Sequence, residues 1–152
     1  MTALVDGGPA PSPRYFTVSG PRRRPDRGFN RLFSAILGAN PLVQFGNRRQ
    51  VRDFTFGVDT ISATAAAAVR GVLGRVYNIG GASRAALREV FDLIARVSGP
   101  KVTIDEQGPQ KGDMRDTYAD TARGRNELAR ALSVTLEDGL RAMWRWMEAT
   151  KA

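Results

Sequence analysis

Glycine and proline divide this sequence into short segments, and the spacing of apolar residues changes from strand-like to helix-like between neighbouring segments. Tyr15 to Val18, read as YFTV, is a β-branched and aromatic run typical of a strand. Phe29 to Leu37 has its apolar residues at the helical period, and Gly38 with Pro41 ends it. This alternation of short strands and helices predicts an α/β fold.

The same spacing predicts further elements along the chain. Strands are predicted at Leu42 to Phe45, Gln50 to Phe56, Arg75 to Ile79 and Lys101 to Ile104, and helices at Asp59 to Val69, Leu87 to Val97, Thr121 to Ala131 and Leu136 to Met147. Gly46-Asn47 is a hairpin turn signal, so the strands on either side of it are expected to pair. Asp105 to Asp116 is predicted to be a polar loop, and Thr135 to cap the last helix.

The amino terminus differs from the rest of the chain. Residues 1–13 contain three prolines and a Gly-Gly pair, which exclude a central strand and predict an extended or disordered arm. Residues 14–152 are predicted to form one domain.

Composition excludes several kinds of chemistry. The chain has neither cysteine nor histidine, so disulfides, thiolate metal sites and histidine-based catalysis are absent. No apolar run approaches the ~20 residues needed to cross a bilayer, and the first residues do not resemble a signal peptide, so we expect a cytoplasmic protein without a membrane partner. A formal charge of +8, carried mostly by arginine, favours anionic partners.

Several strings in order resemble one family. RYFTVSGPR, RPDRGFNRL, FGNRRQVRDFTF, VYNIGG, GPQKGD, YAD and LEDGL are similar to the carboxy-terminal half of extended short-chain dehydrogenase/reductases, in particular the UDP-glucose and UDP-glucuronate 4-epimerase type of nucleotide-sugar epimerases and dehydratases. The resemblance covers nearly the whole chain from Arg14. It implies an incomplete NAD(P)-binding Rossmann-like fold together with the carboxy-terminal, substrate-binding subdomain of this family.

The resemblance also implies what this sequence lacks. In the family an amino-terminal half binds NAD through a glycine-rich turn and carries a Tyr-x-x-x-Lys pair, and neither motif occurs here. We therefore expect no cofactor to be bound by this chain alone and no catalysis by it alone. Gly80-Gly81 follows a predicted strand, and a loop is the preferred interpretation of this pair over a phosphate site.

By resemblance, the remaining residues hold a UDP-sugar. Arg52 matches the arginine that grips the diphosphate, Phe45 lies on the strand that passes the uracil, and Thr17 takes a sugar-contacting position. Gln110 and Asp113 match a second nucleotide-contacting loop.

The Arg22 to Arg24 cluster is expected to flank the anionic site, with Arg22 as the member that is either structural or near the diphosphate and the other two facing solvent. The helix beginning at Gly28 would direct free amides towards the same anion.

Three hypotheses remain open at the level of sequence. The first is a catalytically incomplete UDP-sugar-binding protein, and the second is an active enzyme completed by a partner chain. The third is a basic nucleic-acid-binding module, which the absence of any stacking platform or nucleic-acid-binding motif disfavours. Strands stripped of the neighbours they have in the family predict a homo-oligomer or a partner chain that covers the exposed sheet edge.

Overall fold

A computed structural model describes residues 9–99, 103–108, 114–129 and 132–151. The strands are β1 (Ser12–Tyr15), β2 (Thr17–Ser19), β3 (Leu42–Phe45), β4 (Val51–Phe56), β5 (Val76–Ile79), β6 (Ser83–Ala86) and β7 (Ile104–Gln107). The helices are α1 (Gly28–Leu37), α2 (Gly57–Arg70), α3 (Leu87–Ser98), α4 (Ala122–Leu128) and α5 (Leu136–Lys151). The predicted α/β class is confirmed.

The described strands form three small sheets. β1 pairs with β5 in parallel, β3 pairs with β7 in parallel, and β4 lies between β2 and β6. β4 is parallel to β2 and antiparallel to β6. The parallel pairs join distant parts of the chain, because parallel strands need a crossover connection between them.

The predicted hairpin across Gly46-Asn47 is wrong. β3 and β4 are both present, but β3 pairs with β7 and β4 pairs with β2 and β6. Gly46 and Arg48 have positive φ angles of 72° and 57°, so the chain turns sharply here and leaves one sheet for another. The Gly46 N–H is donated to the Gln107 carbonyl at 3.0 Å, which ties this turn to β7.

Four other features of the strands differ from the predictions. The single strand predicted at YFTV is divided at Phe16 between β1 and β2, which lie in different sheets. β7 occupies Ile104–Gln107, so part of the predicted polar loop is a strand, and β6 was not predicted at all. β1 begins at Ser12, inside the segment assigned to the arm, and Pro13 is tolerated because it lies in a sheet of only two strands.

Two groups of buried side chains form the interior of the described part. The larger cluster joins α1, α3 and α5 with β4, and contains Phe29, Phe33, Phe54, Leu140 and Trp144 among others. The smaller one lies between α2, α4 and β5 and consists of Ala63, Ala66, Ala67, Tyr77, Ile79 and Leu128. All three residues that α2 contributes are alanines, whose small side chains let α2 approach its sheet closely.

The helix caps follow the sequence closely. Thr135 accepts the Asp138 N–H at 3.1 Å, so the predicted cap of α5 is confirmed. At α3 the Glu89 carboxylate accepts the Ala86 N–H at 2.9 Å, but Ala86 has no side-chain oxygen to complete the capping box. Within the described residues, no helix combines the length and the apolar character that crossing a bilayer requires.

Candidate functional site

A cavity of about 210 Å³ lies between the start of α1, the strands β3 and β4, and α3. Three arginines line it, namely Arg23, Arg31 and Arg52, and its described lining contains no carboxylate. The remaining wall is largely apolar, with Phe91 of α3 on one side. Three guanidinium groups around an apolar hollow favour the binding of an anion.

Thr17 and Arg52 reach this cavity because of strand periodicity. In the register of the β2–β4 pair, Thr17 lies opposite Phe54, and Arg52 is two residues from Phe54 on β4. Side chains two apart on a strand share a face, so all three line the same wall. Both Thr17 and Arg52 are half-buried, and the Arg52 Nη1 donates to the Val51 carbonyl oxygen at 3.0 Å.

The amino terminus of α1 forms another wall of the cavity. Gly28 and Phe29 line it, and the residue before the helix, Arg27, makes no side-chain cap hydrogen bond. The first turn of α1 carries no acidic residue. The amide dipoles at this end therefore add to the positive potential of the arginines.

The arginine cluster is held against α1 by a buried side chain. Asn30 Nδ2 donates to the carbonyl oxygens of Arg23 and Arg24, the second at 2.9 Å. Asn30 is only 4% exposed, so this anchor is shielded from water. The backbone of the cluster is thereby fixed relative to the helix that lines the cavity.

Arg23 is the member of the cluster that faces the cavity, and it is half-buried. Burial lowers the pKa of the Arg23 guanidinium below its ordinary value, the neighbouring Arg27 charge adds to this, and Asp26 opposes it. A cation that has lost part of its hydration through burial is stabilised by an incoming anion.

Two sequence-predicted residues lie outside the cavity lining. Arg22 has a φ of 60° and lines a separate groove on the other side of the turn, so the cavity receives Arg23 instead. Phe45 ends β3 and is 37% exposed, while Val43 and Gln44 before it line the cavity. Gln110 and Asp113 lie outside the described residues.

Sequence reasoning missed Arg23, Arg31 and Phe91 as lining residues. Arg31 is three residues after Gly28 and so shares its helix face, a signal that was available in the sequence. Phe91 is brought to the cavity only by the packing of α3. The guanidinium carbon of Arg48 lies over the Phe91 ring, 5.8 Å from the ring centroid. No local pattern marks Phe91.

Comparison with known proteins places this geometry in a family. The sequence model for the NAD dependent epimerase/dehydratase family matches residues 6–80. The uncharacterized UDP-glucose epimerase YtcB of Bacillus subtilis is 39% identical over 84% of this chain, and the UDP-glucuronate 4-epimerase of Thermodesulfobacterium geofontis is 29% identical over 88%. The chain belongs to the NAD dependent epimerase/dehydratase family.

Solved structures of the family share the fold. The crystal structure of UDP-glucuronic acid 4-epimerase from Bacillus cereus, in complex with UDP-glucuronic acid and NAD, matches 91% of this chain with a TM-score of 0.86 and 36% identity. MoeE5 in complex with UDP-glucose and NAD matches 93% with a TM-score of 0.88 and 31% identity. The chain spans only 45% and 48% of these two proteins, and 40% and 41% of the two curated relatives.

Gly80-Gly81 follows β5, but this glycine pair does not form a binding site for the pyrophosphate of NAD, the family's cofactor. Gly81 donates its N–H to Asp53 Oδ1 at 2.6 Å, and a Cβ built on Gly80 would lie 2.8 Å from the Ala119 Cβ. The next element is the strand β6, whereas a pyrophosphate cradle opens a helix. Gly80-Gly81 serves close internal packing, and these residues do not fit NAD.

Proposed function

We propose that this chain binds the diphosphate of a nucleotide sugar, with UDP-sugars as the substrate class, in the cavity lined by Arg23, Arg31 and Arg52. The observation that carries the proposal is the convergence of three arginines on one cavity. A planar guanidinium can make two parallel hydrogen bonds to one phosphate group. The complexes of the Bacillus cereus epimerase and of MoeE5 with UDP-sugars support the choice of ligand class.

The wall residues suggest a division of roles. Arg52 and Arg23 would contact the diphosphate together with the amides at Gly28, and Thr17 would donate to the sugar. Phe45 and Arg22 would act at the periphery, because neither lines the cavity. Gln110 and Asp113 keep the nucleotide-contacting roles that the family resemblance implies.

The size of the cavity limits what it encloses. At about 210 Å³ it is smaller than the ~300 Å³ at which sites for whole drug-sized ligands begin. The site would therefore enclose the diphosphate and part of the ligand, and leave the rest at the surface.

We infer binding without catalysis by the chain alone. The described lining offers arginines, one threonine, one glutamine and apolar side chains, and none of the carboxylate, tyrosine or lysine groups that commonly transfer protons. The sequence contains no Tyr-x-x-x-Lys pair.

A second candidate function is an enzyme half completed by a separate chain. The observation that favours it is the outer edge of β1, which pairs with no other described strand, in a chain that spans less than half of its relatives. Such a chain would supply NAD, the tyrosine and the lysine. Epimerase activity that arises only on mixing or co-expression with such a chain would distinguish this candidate from binding alone.

Calorimetric titration with UDP and UDP-glucose tests the binding proposal. We expect saturable binding that Arg52→Ala and Arg23→Ala each weaken at least tenfold, a loss of ~1.4 kcal/mol or more. Arg145→Ala is the matched control, because Arg145 is an exposed arginine of α5 away from the cavity. Circular dichroism checks that each variant is folded.

Two results would reject the proposal. One is the absence of saturable UDP binding by the folded chain, and the other is equal weakening by the Arg145 control. An oligonucleotide is the third ligand of the calorimetric titration, and it is measured at two salt concentrations. Tight binding of it with a steep salt dependence would favour the nucleic-acid hypothesis instead.

A further inference from the structure

α2 is apolar on two opposite sides. One side packs Ala63, Ala66 and Ala67 into the smaller buried cluster. The other side exposes Val58, Ile61 and Val69, which are 62%, 70% and 84% accessible to solvent. A wide apolar helix face is normally covered, so the exposed apolar side of α2 is unusual for a free surface.

The exposed side chains form one continuous stripe. Val58, Ile61, Ala65 and Val69 are spaced at i, i+3, i+7 and i+11, which places them within one face of the helix. From Val58 to Val69 the stripe is roughly 16 Å long at the rise of an α-helix. Arg70 is the only charged residue among the exposed positions of α2, and it donates to the Leu128 carbonyl.

The stripe runs into a groove of about 720 Å³ that Val58 and Ile61 also line. Its apolar lining includes Phe16, Phe56 and Trp146. We refer to this groove and the Val58, Ile61, Ala65 and Val69 stripe together as the α2 surface. It is separate from the anion cavity, although Arg23 lines both.

Charge decides which occupant fits the α2 surface. Arg22, Arg23 and Arg27 border the groove, and its described lining contains no carboxylate. Asp26 offsets this only partly, since its carboxylate is 3.9 Å from Arg27 and both side chains are exposed. A second copy of this chain, with its charge of +8, would place more arginines against these.

The shape of the groove argues against a lipid surface. A membrane binds apolar groups that protrude, whereas Phe16, Phe56 and Trp146 are half-buried in a concave wall. An amphipathic helix laid in a groove matches both the concavity and the length of the stripe.

We propose that the α2 surface docks a separate polypeptide through a helix whose apolar stripe is flanked by acidic side chains. The apolar stripe of that helix covers Val58, Ile61 and Val69, and its acidic side chains meet the arginines at the groove. The stripe lies outside the anion cavity, and Arg23 is the residue that the groove and the cavity share.

Two designed helical peptides of 18 residues test the proposal. Each helix is roughly 27 Å long, which exceeds the length of the stripe. They share one apolar stripe and differ only in their flanks, which are glutamate in one and lysine in the other. We expect the glutamate peptide to bind saturably as a one-to-one complex, and the lysine peptide to bind at least tenfold more weakly. Fluorescence anisotropy measures both, with UDP-glucose titrated in parallel.

Substitutions localise the interaction. Ile61→Glu and Val69→Glu, both at exposed positions, should each weaken the glutamate peptide at least tenfold and leave UDP-glucose binding unchanged. Met114→Glu is the matched control, because Met114 is 62% exposed and lies outside the α2 surface. The double charge reversal Arg22→Glu with Arg27→Glu should remove the preference for glutamate flanks.

Each of the following results would overturn the proposal. The first is the absence of saturable binding by the glutamate peptide. The second is equal binding of that peptide to the Ile61→Glu and Met114→Glu variants, and the third is equal binding of the glutamate and lysine peptides to the chain. Self-association in sedimentation that Ile61→Glu abolishes would assign the surface to a second copy. Stronger binding to phosphatidylserine vesicles than to the peptide would assign it to a membrane.

Discussion

Two buried aspartates hold distant parts of this chain together. Asp53 in β4 is fully buried and accepts the Gly81 N–H at 2.6 Å and the Ala119 N–H at 3.1 Å. Asp59 in α2 accepts the backbone N–H groups of Ser133 and Val134 at 3.1 and 3.0 Å. Each carboxylate satisfies backbone donors that no sheet or helix serves.

Replacing Asp53 by asparagine should destabilise the fold. The side-chain NH₂ of asparagine would face a backbone N–H, so one charge-assisted hydrogen bond is lost and a donor is left unpaired. We expect the free energy of unfolding to fall by ~2–3 kcal/mol, measured by urea denaturation. Asp92→Asn is the control at an exposed position and should change it by less than ~0.5 kcal/mol. Equal losses in the two variants would refute the anchoring role.

A three-residue hydrogen-bonded group fastens α4 to β5. Tyr77 donates its hydroxyl proton to Glu127 Oε2 at 2.6 Å and accepts the Val72 N–H at 2.9 Å. Arg75 Nη1 lies 2.6 Å from the other oxygen, Glu127 Oε1. The Tyr77 hydrogen bond, with a smaller contribution from Arg75, lowers the pKa of Glu127 below its ordinary value of 4.5, although desolvation opposes this.

Acid should therefore weaken this attachment. The pKa of Glu127 is lower in the folded chain than in the unfolded one, so its stabilisation is present above about pH 4.5 and is lost as the pH falls through the folded value. We expect Glu127→Gln to reduce stability at neutral pH and to show a smaller loss on acidification than the natural chain. Urea midpoints at pH 7 and pH 3 measure this difference.

Glu148→Gln, at an exposed position of α5, provides the comparison. Its loss of stability on acidification should equal that of the natural chain. An unchanged acid response in Glu127→Gln would contradict the contribution of this carboxylate.

At the scale of the whole molecule, the interior is divided unevenly. The cluster around α1, α3 and α5 contains large side chains such as Phe33, Leu140 and Trp144, whereas the cluster between α2, α4 and β5 is half alanine. Apolar burial stabilises by ~25 cal/mol per Å², so the alanine-rich cluster contributes less per residue. The outer side of α2 adds nothing to it, because its stripe is exposed.

Native-state hydrogen exchange should reveal this division. Amides at Ala63, Ala66 and Ala67 should exchange at least tenfold faster than those at Leu140 and Met143, because local opening needs less free energy in the smaller cluster. Leu128→Ala should accelerate exchange in α2 and leave α5 unchanged. Uniform exchange rates in both regions would mean that the two clusters open as one unit.

The sequence by itself determined the local elements and the family. The helices α1, α2, α3 and α5 were predicted within a few residues, because their apolar spacing and their glycine and proline stops are local signals. Thr135 was identified as a cap for the same reason. Arg52 and Thr17 share a wall of the cavity, and the roles that the family resemblance implies for them stay predictions.

Only the tertiary structure decided which strands pair and which arginine faces the cavity. The local signal at Gly46-Asn47 predicts a hairpin, but the alternative pairing of β3 with β7 depends on residues some sixty positions away. Arg22, Arg23 and Arg24 are identical in type, and the positive φ at Arg22 together with the Asn30 anchor directs Arg23 inward. The tertiary structure also decided which apolar side of α2 is buried and which is exposed, because burial and exposure depend on neighbours that are distant in sequence.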